Sequence, residues 1–181
     1  MSSTLAKELL VDETTALDYK EIKRLLSGRV PGLKAHYVDL ETFRGPYEIN
    51  KFLPSHVNCC FVLLSANISN RTLRHWSVLV RHARSVDFFE SLGMQLASFS
   101  KILTNGRQFV DMIKRNRMKL NTKKLQDHHK KIKTCGIHAA IRAVKYKLTV
   151  PEYVAWLLSA KEKPDVIVSK LGWLGLLNEQ F

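Results

Sequence analysis

The hydrophobic pattern of the chain changes period several times. In "LDYKEIKRLLSG" Leu17, Ile22, Leu25 and Leu26 recur near one face, so the first 28 residues read as helical and stop at Gly28. Residues 29–58 keep no period and read as irregular, punctuated by Pro31, Gly32, Gly45, Pro46 and Pro54. "CCFVLLSA" (59–66) is apolar throughout, as a strand buried on both faces would be. "HWSVLVRH" (75–82) and "SVDFFESLG" (85–93) lie two residues apart, which predicts an antiparallel hairpin. Helical spacing returns over 95–117, with Leu96, Phe99 and Leu103, then Phe109, Met112 and Ile113, interrupted at Asn105–Gly106. "MKLNTKKLQ" reads as a further short strand.

From Cys135 the apolar positions Ile137, Ala140, Ile141, Val144 and Leu148 fall on one helical face. Thr149 and Glu152 form a T-x-x-E capping box around Pro151, so "PEYVAWLLSA" begins another helix. Helices, then strands, then helices imply an α+β plan, a central mixed or antiparallel sheet flanked by helices. With no repeat and no clear linker, residues 1–181 read as one domain: a helical region 1–28, a core at about 59–148, and a C-terminal helix and tail 149–181. Trp173, Leu174, Leu176 and Leu177 of that tail are expected to close the core.

No apolar run approaches the roughly 18 residues that cross a bilayer, and "MSSTLAKELLVDE" lacks the layout of a signal peptide. Both features point to an intracellular or particle-packaged protein with no membrane partner. Cysteines at 59, 60 and 135 give no disulfide framework, and without a CxxC there is no thiolate zinc site; His128 and His129 offer a metal only adjacency. The formal net charge is +13. Nine of the cations, Lys114, Arg115, Arg117, Lys119, Lys123, Lys124, Lys130, Lys131 and Lys133, share a stretch with one acid, Asp127. Such a stripe is either a solvated face or a site for a polyanion, most obviously nucleic acid. It holds no aromatics, so binding there would be sequence-tolerant.

Cys135 opens its helix. A thiol with pKa near 8.5 is only about 3% thiolate at pH 7, and a helix N-terminus shifts that balance strongly toward the anion. The residue therefore reads either as a small packed side chain or as a nucleophile. Of seven histidines, His138 shares its helix and is near enough to approach it, whereas His75 opens a strand whose hairpin partner carries acids. With a turn centred near His82–Ala83, the residue across from His75 is 90 or 91, which places Glu90 beside it. Asp87 then lies roughly 10–13 Å along the ladder, at ~3.3 Å per residue, and points to the other face. Trp76 packs near the histidine or serves as core.

"HW", then "FFESLG", then "LQ" shortly before "TCGIHAA" resembles the adenovirus-type (adenain-like) maturation cysteine proteases. Their fold superfamily also contains the ubiquitin-like-protein proteases. The order histidine, acid, glutamine, cysteine appears here at intervals of 15, 36 and 9 residues, and the likeness covers about 59–148. It implies a papain-like fold with the nucleophile at a helix start and a cysteine endopeptidase activity. In that activity Cys135 attacks, His75 is its base and acid, Glu90 orients the imidazole, and Gln126 joins the Cys135 backbone N–H as oxyanion hole. It further implies viral capsid or core precursors as substrates, the virion and the infected cell's cytoplasm or nucleus as location, and a monomer. It also implies that the chemistry needs no cofactor and that DNA bound along Lys114–Lys133 would act as an activator.

Two features depart from the family. The glutamine usually stands six or seven residues before the cysteine, and here "DHHKKIKT" widens the gap to nine, so the loop must bulge. No cysteine lies between Glu90 and Cys135, so any activating peptide would dock non-covalently. The alternatives are a protease that removes ubiquitin or a ubiquitin-like modifier and, in another class, a basic nucleic-acid-binding protein without catalysis.

Overall fold

Strand β2 (Cys59–Ile68) organises the molecule. Cys59, Phe61 and Leu63 on one side, and Cys60, Val62 and Leu64 on the other, are all buried, so the sheet needs cover on both faces. The structure, a computed structural model, describes residues 17–26, 28, 30–68, 71–127 and 133–177. Five strands form one mixed sheet in chain order: β1 (Ala35–Asp39), β2, β3 (Arg71–Arg81), β4 (Val86–Glu90) and β5 (Lys119–Leu120). The two central pairings are antiparallel, and β1–β2 and β4–β5 are parallel.

Among the described residues seven helices pack on this sheet. They are α1 (Tyr19–Leu26), α2 (Ile49–Phe52), α3 (Leu96–Ile102), α4 (Gly106–Arg115), α5 (Cys135–Val144), α6 (Val150–Leu158) and α7 (Pro164–Leu177). Helices α1, α5, α6 and α7 share a core with Phe61, Trp76, Val78 and Phe89. On the opposite face α2, α3 and α4 bury Phe52, Phe99 and Phe109 against Phe88. Phe88 meets Phe99 and Phe109 edge-on at 5.8 and 5.5 Å, contacts worth about 0.5–1.5 kcal/mol each beyond the area they bury.

The α+β plan stands, with several corrections. Residues 29–58 are not wholly irregular, because they contain β1 and α2. Strand β1 borrows its ladder from β2 in a parallel pairing, Ala35 against Cys59 through Asp39 against Leu63. A parallel partner is supplied from far along the chain and leaves no local turn signal. Within the described part of the N-terminal region, helix begins only at Tyr19, where Asp18 and Glu21 exchange backbone-to-side-chain hydrogen bonds of 2.6 and 2.8 Å. Residues 1–16 lie outside the described residues. His75 does not open its strand but stands five residues into β3. The β3–β4 register is one or two residues off the expected one, with Ser77 rather than His75 opposite Glu90.

The interruption at Asn105–Gly106 is real. Asn105 adopts φ +59°, and a Cβ on Gly106 would lie 2.2 Å from the Phe99 carbonyl oxygen. The Thr149–Glu152 capping box closes the start of α6. Helix α7 joins the core, but through Val168, Leu171 and the close approach of Gly172 to Ile137. Leu174 is about half exposed, which corrects the expectation that it closes the core, and the side chains of Trp173, Leu176 and Leu177 lie outside the described residues. No described helix is long and apolar enough to cross a membrane.

Candidate active site

Strand β3 outruns β4. The last β3–β4 pair is Ser77–Glu90, and His75 lies two residues beyond it. Side chains two apart share a face, so His75 and Glu90 are diagonal neighbours. The His75 Nε2 and Glu90 Oε2 are 3.2 Å apart. Glu90 is almost completely buried, and its carboxylate also accepts the N–H groups of Leu92 (2.8 Å) and Met94 (2.5 Å). The tight turn after it depends on Gly93, at φ +65°, where a Cβ would sit 2.6 Å from the backbone of Lys123. The Ser-Leu-Gly that follows the acid thus holds the carboxylate still.

The same strand separates the second acid. Asp87 pairs with Val80 in the ladder and faces α5 and α6. There it meets His82 Nε2 (2.9 Å), Arg142 Nη2 (3.2 Å) and the Val150 N–H (2.6 Å), and Asp87 and Arg142 are fully buried.

Cys135 reaches His75 from α5. Gly136 packs so closely on Leu17 and Trp76 that a Cβ would stand 3.0 and 3.2 Å from their atoms, and this brings the start of α5 down onto β3. Trp76 is held in turn by its indole N–H donating to the Leu17 carbonyl at 2.8 Å. The Cys135 thiol interacts with His75 and with the backbone N–H groups of Trp76 and Gly136, each of which favours its anion. Since Glu90 occupies Nε2 of the imidazole, Nδ1 is left for the sulfur.

The electrostatics follow from those contacts. Burial alone would push the His75 imidazole down, but the hydrogen bonds and negative charges of Cys135 and Glu90 overcome it and raise its pKa from 6.5 to about 9. Burial alone would push the Cys135 thiol up. His75 and the two backbone N–H groups bring it below its ordinary value instead. The other two cysteines behave oppositely: burial pushes Cys59 up to about 12 and Cys60 further still. One thiol of three is therefore set to be an anion beside an imidazolium.

Gln126 is buried and tied to the residue after Glu90. The Ser91 hydroxyl donates to Gln126 Oε1 at 2.6 Å, and the Ser91 carbonyl accepts the N–H groups of Leu125 (2.8 Å) and Gln126 (3.0 Å). Asn121 adds a staple, donating from Nδ2 to the carbonyls of Glu90 (2.6 Å) and Lys123 (2.9 Å). With its oxygen engaged by Ser91, the amide of Gln126 keeps its Nε2 hydrogens for another acceptor.

His138, expected within reach of Cys135, instead pairs its Nε2 with Asp165 Oδ1 at 3.0 Å, fully buried. Burial lowers its pKa despite the carboxylate, so the imidazole is neutral. Of the basic stripe, Lys114, Arg115, Arg117, Lys119, Lys123, Lys124 and Lys133 are exposed around the end of α4, β5 and the following loop. Arg115 also donates to the Tyr47 carbonyl at 2.7 Å. Lys130, Lys131, His128 and His129 lie outside the described residues. Among the described residues no cluster of three His, Cys, Asp or Glu side chains is arranged to hold a metal.

Sequence reasoning missed Ser91, Thr134 and Asp165. The Pro-Asp at 164–165 does carry a helix-start signature, a proline at the first helical position followed by an acid. Nothing local announces that this acid turns inward. No protein-family model matches the chain, and no curated protein matches it in sequence.

Proposed function

We propose that the protein is a cysteine endopeptidase in which Cys135, His75 and Glu90 form the catalytic triad. The observation that carries this reading is that the His75 imidazole is held at Nε2 by Glu90, 3.2 Å away, and interacts with the thiol at the start of α5. The Cys135 thiolate attacks the scissile carbonyl carbon, and the carbonyl oxygen becomes an oxyanion facing the Cys135 backbone N–H and the Gln126 amide. The His75 imidazolium gives its proton to the leaving amine. Neutral His75 then takes a proton from the water that attacks the thioester, releasing the acid and restoring the pair. Glu90 keeps the ring oriented and offsets its positive charge.

The substrate class rests on the resemblance in sequence order: precursor proteins of a viral or virus-like particle, with DNA as a polyanionic activator along the basic stripe. The test is to expose a proteome-derived peptide library and capsid precursor proteins to wild type and Cys135→Ala, with and without DNA, and to sequence the new N-termini by mass spectrometry. Cuts within chains that vanish in the variant support the endopeptidase. Reaction only with ubiquitin or ubiquitin-like probes carrying a C-terminal electrophile would move the function to deconjugation. DNA binding that ignores alkylation of Cys135, with no hydrolysis of any probe, would leave a non-catalytic binding protein.

A further inference from the structure

The widened gap between Gln126 and Cys135 has a single carboxylate across its base. Asp165, in the first turn of α7, is 4% exposed and accepts three hydrogen bonds. Its Oδ2 takes the backbone N–H of Asp127 at 2.7 Å, the residue directly after Gln126. Its Oδ1 takes the Thr134 hydroxyl at 2.5 Å, the residue directly before Cys135, and the His138 Nε2–H at 3.0 Å. Thr134 is the residue before the first turn of α5, yet its side chain caps no N–H of that helix and goes to Asp165 instead. The two ends of the 127–134 excursion are thus pinned to one group, whatever path lies between.

We infer that Asp165 is a positioning residue of the oxyanion hole, fixing the Gln126 side and the Cys135 N–H side of that hole relative to each other. The inference rests on the thiol chemistry proposed above. It accounts for how a nine-residue gap can serve where a shorter one would hold the two donors by chain connectivity alone. Hydrogen bonds from His138, Thr134 and Asp127 outweigh burial and keep the Asp165 carboxyl below its usual range, so it stays an acceptor at both oxygens. Neutral His138 fits the same plan, because it adds a donor to Asp165 without placing a second cation near the His75 imidazolium.

The test separates nucleophile from oxyanion. Alkylation of Cys135 by iodoacetamide needs the thiolate but no oxyanion hole; acylation by p-nitrophenyl acetate needs both and requires no peptide subsites. Wild type, Asp165→Ala, Asp165→Asn, Thr134→Val, Gln126→Ala and the Asp165→Ala/Gln126→Ala double variant are compared by both reactions, with circular dichroism to report folding. Acylation by Asp165→Ala is expected to fall about 10–10²-fold, the scale of a misplaced catalytic group, while alkylation changes by less than about twofold. Asp165→Asn keeps an acceptor oxygen and should recover part of the loss. Should the alanine variant not fold, Asp165→Asn and Thr134→Val carry the comparison, each with a smaller loss in acylation alone. The double variant should lose far less than the product of the two single losses, since both act on one hole. Equal losses in both reactions, no loss in acylation, or full multiplication in the double variant would overturn the role of Asp165. Wild-type protein whose Cys135 is slow in both reactions would remove the thiol chemistry itself, and this role with it.

Discussion

Two histidine–carboxylate pairs stand at the two ends of the β3–β4 hairpin. His75 meets Glu90 at 3.2 Å, and His82, the residue just past the end of β3, meets Asp87 at 2.9 Å. By distance and burial the second pair is the tighter. What separates them is the third group. Asp87 Oδ2 also takes Arg142 and the Val150 N–H, so it serves as the anchor of α5 and α6. Among the described residues Glu90 has backbone N–H groups beside its histidine, and that histidine interacts with a sulfur. A histidine–acid pair is therefore no sign of catalysis alone; a nucleophile on the far side of the ring is.

The contrast can be broken by mutation, beginning where the effect is largest. Cys135→Ala should abolish peptide hydrolysis outright, and the same change at Cys59 or Cys60 should leave chemistry per folded molecule intact; assays of purified folded protein check this. Glu90→Gln should lower turnover about 10²–10⁴-fold, the span of general acid–base contributions, with little loss in folded fraction. Asp87→Ala should do the reverse. It leaves the buried Arg142 charge without its partner, at a cost of about 3–5 kcal/mol. The melting temperature should fall by roughly 10 °C, while Cys135 of the folded fraction still labels at the wild-type rate.

The pH profile sharpens the same distinction. His75 is raised from 6.5 to about 9, so its folded form favours the proton. Its contribution is fully present below pH 6.5 and disappears as pH rises through about 9. Hydrolysis should therefore fall on an alkaline limb near pH 9 and on an acid limb below the ordinary thiol pKa. Glu90→Gln should move the alkaline limb downward, and His82→Ala should not. The smallest effect belongs to the basic stripe: Lys123→Ala or Lys124→Ala should each reduce the salt slope of DNA binding by about 1, measured by titration at several salt concentrations.

How much of this was written in the sequence depends on how local each feature is. The buried β2, the hairpin, the break at Asn105 and the Thr149 capping box are all carried by neighbouring residues. The pairing of His75 with Glu90 could be reasoned from the hairpin, although the true register lies two residues beyond the pairing of His75 with 90 and one beyond that with 91. For the pairing with 90 the conclusion tolerated that error, because a two-residue shift keeps every side chain on its face. Strand β1 was illegible because its partner comes from another part of the chain. Asp165 was illegible for the same reason: its three donors lie 27 to 38 residues upstream, and only folding collects them.

The most direct test of the central claim is alkylation of the three cysteines by limiting iodoacetamide at pH 6, read by mass spectrometry in wild type and His75→Ala. A thiolate–imidazolium pair predicts rapid labelling of Cys135 alone, lost when His75 is replaced, with Cys59 and Cys60 unlabelled in both. Slow labelling of Cys135, indifferent to His75, would contradict it.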